Sequence, residues 1–135
     1  MSDRKIVSPV VDDIKAHMKR GKIVSADEAV RVIRSGDTVA LDGVVGGGAP
    51  DELIIALEKR FLESGEPRGL TLVYASGIGD GKEKGVNRIA KEGLLKRVVA
   101  GHWGLTPKMQ KLAVGGKIEA YNLPQGIISH MFRDI

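Results

Sequence analysis

A glycine-rich stretch, Gly43–Gly48 (GVVGGG), is the first place in this sequence where backbone groups could bind an anion. It follows the apolar run Thr38–Leu41 and precedes a helix that is expected to start at Pro50. Glycines let successive N–H groups approach a ligand, and a helix N-terminus adds positive potential. The same glycines would also suit a tight turn that binds nothing, and the residues alone leave both interpretations open.

Two other loops contain polar groups. Ser76–Lys82 (SGIGDGK) has one acid and one base, and its pattern favours a solvated connection without chemistry. The Gly43–Gly48 stretch is not followed by a Lys-Ser or Lys-Thr pair, which argues against an ATPase.

In Tyr121–Gly126 (YNLPQG), the amide of Gln125 could stabilise an oxyanion without titrating, but spacing alone favours a turn residue bonded to nearby backbone.

The three histidines and the absence of cysteine argue against several kinds of site. His17, His102 and His130 lack a carboxylate or second histidine at ligand spacing, so no metal site is predicted. There is no cysteine, which excludes disulfides and thiolate chemistry. His102-Trp103, between two glycines, could line a crevice, although the large apolar surface of Trp favours packing in the core.

Strand and helix patterns alternate along the chain, and they predict an α/β fold: a mainly parallel sheet with helices on both faces. In such sheets, ligands bind beyond the carboxyl ends of the strands, where the Gly43–Gly48 and Pro124–Gly126 segments both fall. The expected strands are Thr38–Leu41, which is expected to be buried, Leu70–Tyr74, Arg97–Ala100 and Ile118–Leu123. The expected helices are Ser25–Arg34, Pro50 to about Ser64, Asn87–Leu95, Thr106–Val114 and one beginning near Gln125.

Composition predicts a small folded domain, argues against nucleic acid as a partner and is compatible with an anionic small-molecule ligand. The 135 residues suit a single core. The net charge of +4 is spread along the chain, and only 4% of the residues are aromatic, whereas nucleic-acid binders cluster cations and expose stacking aromatics. The first twenty residues contain no apolar signal segment, and no run approaches a membrane span, so we expect a cytoplasmic location without membrane contact.

Three segments together resemble a known family. GVVGGGAPDELIIAL, EGLLKRVVAGHWGLTPKMQKLA and IEAYNLPQGIISHMFRDI are similar, in this order, to the opening region of family I coenzyme A transferases of the acetate or propionate, acyl-CoA:carboxylate type. The resemblance begins at about Lys22. It implies an N-terminal arm over residues 1–24 and an alpha-type N-terminal transferase domain over residues 25–135 that is incomplete at its C-terminus.

The resemblance implies a role for five residues. Gln125 matches the active-site glutamine of the family and would stabilise an oxyanion. Gly46, Gly47, Gly48 and Gly126 would form part of the same wall and contact coenzyme A. Coenzyme A and acyl-CoA would be substrates, with no permanently bound cofactor and no metal.

The reaction implied is transfer of coenzyme A between an acyl-CoA and a short-chain carboxylate through a glutamyl-CoA thioester. No glutamate here lies in the family's catalytic motif, so we expect the nucleophile from the C-terminal half or from a beta-type chain, and the chain alone to be inactive. Members usually form homo- or hetero-oligomers. Three alternatives stay open: an acyl-CoA hydrolase part, a non-catalytic nucleotide or acyl-CoA binding domain, and a remnant that self-associates through Ile128, Met131 and Phe132.

Overall fold

A parallel four-stranded sheet is the centre of the fold. The computed structural model describes residues 23–134, so most of the predicted arm over residues 1–24, and His17 with it, lies outside the described residues. The strands follow one another across the sheet in chain order. They are β1 (Thr38–Leu41), β2 (Leu70–Tyr74), β3 (Leu95–Ala100) and β4 (Glu119–Asn122). All neighbours run parallel, which confirms the predicted sheet.

Burial differs sharply between the central and the outer strands. All five residues of β2 are buried, whereas β1 alternates between exposed and half-buried positions and β4 is exposed throughout. The prediction that β1 is a buried strand was therefore wrong. Its apolar sequence is correct for one face, but β1 lies at an edge of the sheet and has no strand on its outer side in the part of the chain that the structure describes.

Helices cover both faces of the sheet, as predicted. Besides the short α1 (Ala26–Ala29), they are α2 (Asp51–Ser64), α3 (Pro107–Val114) and α4 (Gln125–Met131). The larger core cluster joins one face of the sheet to α2 and α3. The smaller one joins the opposite face to Ile128 of α4. The larger cluster includes Leu70, Leu72, Tyr74, Val98, Ala100, Ile54, Leu57 and Met109, and the smaller one includes Val73 and Ala75.

The first predicted helix is shorter than expected. Ser25 and Glu28 form the predicted capping box, and the backbone N–H of Glu28 donates to Ser25 Oγ at 3.2 Å. After α1 the chain tightens into a 3-10 turn, Val30–Val32, and becomes extended at Ile33. The guanidinium of Arg60 donates to the carbonyl oxygen of Ile33 at 2.9 Å and also to that of Val30. Because an α2 side chain satisfies these carbonyls, a longer helix is not needed there.

The predicted helix over Asn87–Leu95 is wrong, since turns replace it and Leu95 begins β3. The cause is the buried side chain of Asn87. Its Nδ2 donates to the carbonyl oxygens of Lys84 at 3.1 Å and Leu105 at 3.0 Å, and its Oδ1 accepts from the backbone N–H of Lys108 at 3.3 Å. Asparagine side chains compete with helices in this way by bonding loop backbone directly.

No helix among residues 23–134 is both long and apolar enough to cross a membrane.

Truncating the centre of β2 should show where the stability resides. Leu72 is 1% exposed in the larger core cluster, so Leu72→Ala should lower the free energy of unfolding by about 2–5 kcal/mol. Val114, on α3, is 91% exposed, and Val114→Ala should change it by less than about 0.5 kcal/mol. Urea denaturation followed by circular dichroism measures both, and equal midpoints for the two variants would contradict this assignment of the core.

Candidate functional site

The carboxyl ends of all four strands lie along one edge of the sheet, because the strands are parallel. The segments that leave these ends form the candidate site. The Gly43–Gly48 loop follows β1, Ala75–Gly79 follows β2, Gly101–Trp103 follows β3, and Leu123–Gln125 follows β4. Thus the two segments that the sequence pointed to, and two further ones, meet at this edge, which we call the carboxyl edge.

The Gly43–Gly48 loop is a tight turn fixed to its neighbour. The backbones of Val44 and Gly47 exchange two hydrogen bonds of 2.9 and 2.8 Å, and Val45 between them has a φ of 58°. A β-branched residue rarely adopts this left-handed conformation. The Val45 N–H donates to the carbonyl oxygen of Gly77 at 2.7 Å, and the Gly79 N–H donates to that of Val45 at 3.0 Å. These bonds hold Val45 in its strained conformation and join the loop to the segment after β2.

Most N–H groups of the loop already have acceptors. The N–H of Gly43 donates to the Asp42 side chain at 2.8 Å, and those of Val44, Val45 and Gly47 donate within the protein. The predicted row of free donors is therefore reduced to Gly46 and Gly48, whose N–H groups have no acceptor within residues 23–134. Space is open at both glycines, because a Cβ there would meet no atom within 4 Å.

Gln125 begins α4 directly against the backbone at the end of β3. A Cβ on Gly101 would lie 2.7 Å from Gln125 Cγ and 3.0 Å from Gln125 Cα, and it would also collide with the carbonyl oxygen of Ala75. Only glycine at position 101 permits this contact. The Gln125 side chain is exposed, and its amide makes no hydrogen bond to the described residues. Gly126 beside it is exposed, with open space where a Cβ would lie.

His102 and Trp103 leave the end of β3 in different ways. His102 is exposed at the carboxyl edge, whereas Trp103 is half-buried and packs against the larger core cluster, as its apolar surface suggested. The Trp103 carbonyl oxygen accepts from Thr106 Oγ1 at 2.9 Å and from Gln110 Nε2 at 2.6 Å. The imidazole of His102 therefore lies at the carboxyl edge, whereas the indole of Trp103 anchors this segment to the core.

The Ser76–Lys82 loop is more ordered than a plain solvated connection. Asp80 Oδ1 accepts from the backbone N–H groups of Lys82, Glu83 and Lys84, each at 2.9 Å. These hydrogen bonds, with that from Lys84 the strongest, hold the pKa of Asp80 below its usual value although burial acts in the opposite direction. Since the carboxylate is committed to its own loop, it has no evident role toward a ligand.

The structure links the predicted site residues indirectly. No hydrogen bond joins Gln125 to the Gly43–Gly48 loop in the described part of the chain. The connection runs through Gly77, which binds the loop, and Gly101, which carries Gln125. Sequence reasoning missed both glycines, although each follows a predicted strand within three residues and could have been found by that position. Among residues 23–134, no group of three or more His, Cys, Asp or Glu side chains could hold a metal ion.

A family model for coenzyme A transferase matches residues 23–133. The chain belongs to the coenzyme A transferase family. Two curated relatives are the acetate CoA-transferase YdiF of Escherichia coli K12, with 38% identity over 84% of this chain, and a caffeate CoA-transferase of Acetobacterium woodii, with 37% identity over 84%. The chain spans 22% of the length of each.

Two further comparisons extend this assignment. The acetate CoA-transferase subunit alpha of Escherichia coli K12 is 29% identical over 83% of this chain, which spans 48% of that relative. A crystal structure of the acyl-CoA transferase YdiF from Escherichia coli O157:H7, in a thioester complex with CoA, superposes with a TM-score of 0.75 and 39% identity. It covers 77% of this chain, which corresponds to 22% of that structure. The α/β fold is therefore the fold of this transferase family.

The substitutions Gly101→Ala and Gly126→Ala each add one methyl group near Gln125, and their effects on the free energy of unfolding can be compared. At Gly101 it collides with Gln125 and Ala75, so we expect a loss of about 1–3 kcal/mol in unfolding free energy. At Gly126 it meets nothing within 4 Å and replaces a helical glycine, so we expect a gain of about 0.5–1 kcal/mol. Urea denaturation measures both, and a neutral Gly101→Ala would contradict the close packing of Gln125.

Tyr74, the last residue of β2, has a fully buried side chain beneath the carboxyl edge. Burial raises its pKa to about 12, and the Thr106 hydroxyl opposes this shift, although no hydrogen bond of good geometry joins the two groups. The phenol therefore stays protonated at physiological pH. The Tyr74 side chain packs beneath the carboxyl edge, and its protonated phenol cannot act as a general base at that pH.

This shift predicts a pH dependence of stability. The folded chain keeps the Tyr74 proton up to about pH 12, whereas an unfolded tyrosine loses it near pH 10. The protonated Tyr74 side chain contributes fully to the free energy of unfolding below pH 10. This contribution is lost between pH 10 and 12 and amounts to roughly 3 kcal/mol at most. Tyr74→Phe should remove this loss, whereas Tyr121→Phe, at an exposed tyrosine, should retain it. Denaturation curves from pH 8 to 12 give the difference, and parallel profiles for the wild type and Tyr74→Phe would refute it.

Proposed function

We propose that this chain forms one wall of the active site of an acyl-CoA:carboxylate CoA-transferase, which moves coenzyme A between a short-chain acyl-CoA and a carboxylate such as acetate. The observation that carries the proposal is the exposed amide of Gln125, seated on Gly101 at the carboxyl edge of a family fold. The names of the relatives support it, since acetate and caffeate CoA-transferases are among them. Residues 25–135 would form the alpha-type N-terminal domain.

The chemistry follows from a carboxylate nucleophile and two acyl transfers. A glutamate carboxylate attacks the thioester carbonyl, the C–S bond breaks, and an acyl-glutamyl anhydride and the coenzyme A thiolate result. The thiolate then attacks the glutamyl carbonyl of the anhydride, which gives a glutamyl-CoA thioester and releases the first carboxylate. The acceptor carboxylate repeats both steps in reverse. Splitting the exchange in this way gives each step an activated acyl group.

Gln125 is suited to stabilise the oxyanions of these steps. Each attack places negative charge on a carbonyl oxygen, and a neutral amide can donate to that oxygen without having to titrate. The amide has no hydrogen-bond partner among the described residues, so it can accept this role without breaking a bond. The free N–H groups of Gly46 and Gly48 would contact the coenzyme A side of the substrate, with Gly47 and Gly126 shaping the wall.

The nucleophilic glutamate would come from a part of the fold other than these residues. Six of the eight glutamates make contacts within the structure. Glu28 caps α1, Glu58 pairs with Lys91 at 2.8 Å and Glu119 pairs with Arg97 at 2.6 Å, and the other three are Glu66, Glu83 and Glu92. Glu52, in the first turn of α2 just after the Gly43–Gly48 loop, is exposed and makes no ion pair within residues 23–134. A test of whether the nucleophile lies in this chain must therefore rule out Glu52.

The partner would be the remaining part of a transferase, either covalently continuous or a separate beta-type chain. The name of one relative, acetate CoA-transferase subunit alpha, supports the second arrangement. The names of the relatives do not favour an acyl-CoA hydrolase part, in which water would take the activated acyl group. It would release free coenzyme A without incorporating labelled acetate.

Exchange of labelled acetate into acetyl-CoA tests the proposal. The folded 135-residue chain alone should give no exchange. A chimera in which its residues 23–133 replace the matching segment of the Escherichia coli acetate CoA-transferase YdiF should restore it. In that chimera Gln125→Ala should lower kcat by about 10²–10³-fold, the usual effect of losing one oxyanion donor.

Two controls define the outcome. Ser129→Ala, at an exposed position on the same short helix, should leave kcat unchanged. If the isolated chain shows exchange that Glu52→Gln abolishes, the nucleophile lies in this chain and the proposal of a missing glutamate is wrong. If Gln125→Ala and Ser129→Ala behave alike in an active chimera, Gln125 is not the oxyanion donor.

A further inference from the structure

The imidazole of His102 lies at the centre of the carboxyl edge. It directly follows Gly101, the residue on which Gln125 packs, and its ring contacts Gly77, whose carbonyl oxygen accepts from Val45 of the Gly43–Gly48 loop. The ring thus contacts the segment that binds the Gly43–Gly48 loop, and its own residue adjoins the one on which Gln125 packs.

Two glycines fix the position of this ring. A Cβ on Gly77 would lie 2.5 Å from His102 Nδ1 and 3.3 Å from Cγ, and a Cβ on Gly104 would lie 3.0 Å from Cε1. Neither glycine has a positive φ, so the backbone conformation does not demand glycine at these positions. At Gly77 an added Cβ would overlap the ring and approach Leu105 Cδ1 to 3.2 Å, and at Gly104 it would press on the ring, so with the ring in this position both sites favour glycine. The imidazole is thus seated between two stretches of backbone although its residue is exposed.

The imidazole has no hydrogen-bond partner among the described residues and could donate to a ligand. Neither of its nitrogens makes a hydrogen bond to the described residues. Among the three residues that follow each strand, His102 and Gln125 are the two exposed residues whose side chains can donate a hydrogen bond.

We propose that His102 is a further substrate-contacting residue, whose imidazole N–H donates to the carboxylate substrate or to the carboxyl oxygen of the acyl group. The proposal rests on the proposed function, because it places the reacting carboxyl group beside Gln125. A carboxyl group near Gln125 lies next to the segment that carries His102, while the bulk of coenzyme A extends over the glycine loop. His102 would thus orient the group that Gln125 stabilises.

Nuclear magnetic resonance of the ¹⁵N-labelled 135-residue chain tests substrate contact at His102 and at the residues of the proposed active-site wall. Sodium acetate and acetyl-CoA are added separately, with sodium chloride at equal ionic strength as the control. The imidazole nitrogens, the Gln125 side-chain amide and the N–H groups of Gly46 and Gly48 are followed. Acetate should shift the His102 and Gln125 side-chain signals, and acetyl-CoA should also shift those of the glycines. His130, an exposed histidine on α4, is the internal reference and should not respond.

Three variants separate contact from structural support. His102→Asn should weaken acetate binding by about tenfold, the usual loss for a hydrogen bond to a charged group, and His130→Asn should leave it unchanged. Gly77→Ala keeps the imidazole but puts a methyl group where the ring lies, so acetate binding should weaken there as well. The amide spectra of the sheet residues show whether each variant is folded.

The outcomes distinguish this inference from the proposed function. If acetate shifts Gln125 but not His102, or if His102→Asn binds acetate normally, His102 does not contact substrate and the proposed function stands. If no signal at the carboxyl edge responds to either compound, the inference fails, whereas the proposed function is decided separately by acetate exchange in the chimera with YdiF. In the chimera with YdiF, a rise in KM for acetate at nearly constant kcat in His102→Asn would support a binding contact.

Discussion

The close approach of backbone segments at the carboxyl edge is the contact on which the candidate site depends. At Gly101 there is no room for a side chain, because Gln125 and the carbonyl oxygen of Ala75 already fill the space. This contact sets where α4 starts, and α4 in turn brings Ile128 onto the second face of the sheet. One glycine therefore couples the placement of a polar amide to the burial of an apolar side chain. The position of the amide is determined by packing rather than by hydrogen bonds to its side chain.

Much of the fold could be predicted from the sequence where local pattern and tertiary contacts agree. The apolar spacing of α2, the uninterrupted run of β2 and the Thr106-Pro107 start of α3 each indicated the observed element. The pattern failed over residues 87–95, because three hydrogen bonds from one buried asparagine decide that structure and two of their partners are about twenty residues away. It also failed for the burial of β1, since burial depends on which strands are neighbours and not on the strand's own residues.

The location of the two candidate segments at one edge of the sheet was predicted from the sequence, but their contacts were not. The strand, glycine loop and helix arrangement and the proline-glutamine-glycine phrase placed both segments at one edge of a parallel sheet, where the structure has them. The sequence could not show that Val45 and Gly47 use their own N–H groups, because their acceptors lie in a different loop or across the turn. Nor could spacing show that Gly77 and Gly104 make room for an imidazole. Such contacts depend on how separate loops pack together.

The oxyanion role proposed for Gln125 has a physical requirement that its exposure does not meet. A hydrogen bond to a developing oxyanion is worth several kcal/mol only in a water-excluded, preorganised site, since in bulk water the solvent competes for the same charge. In the described part of the chain, Gln125 and loop residues 44–48 are open to solvent, and β4 is exposed at every residue. A covering layer would raise the value of the same amide without altering its position. The remaining part of a transferase would therefore have to supply more than a glutamate: it would also have to remove water from the wall that these residues form.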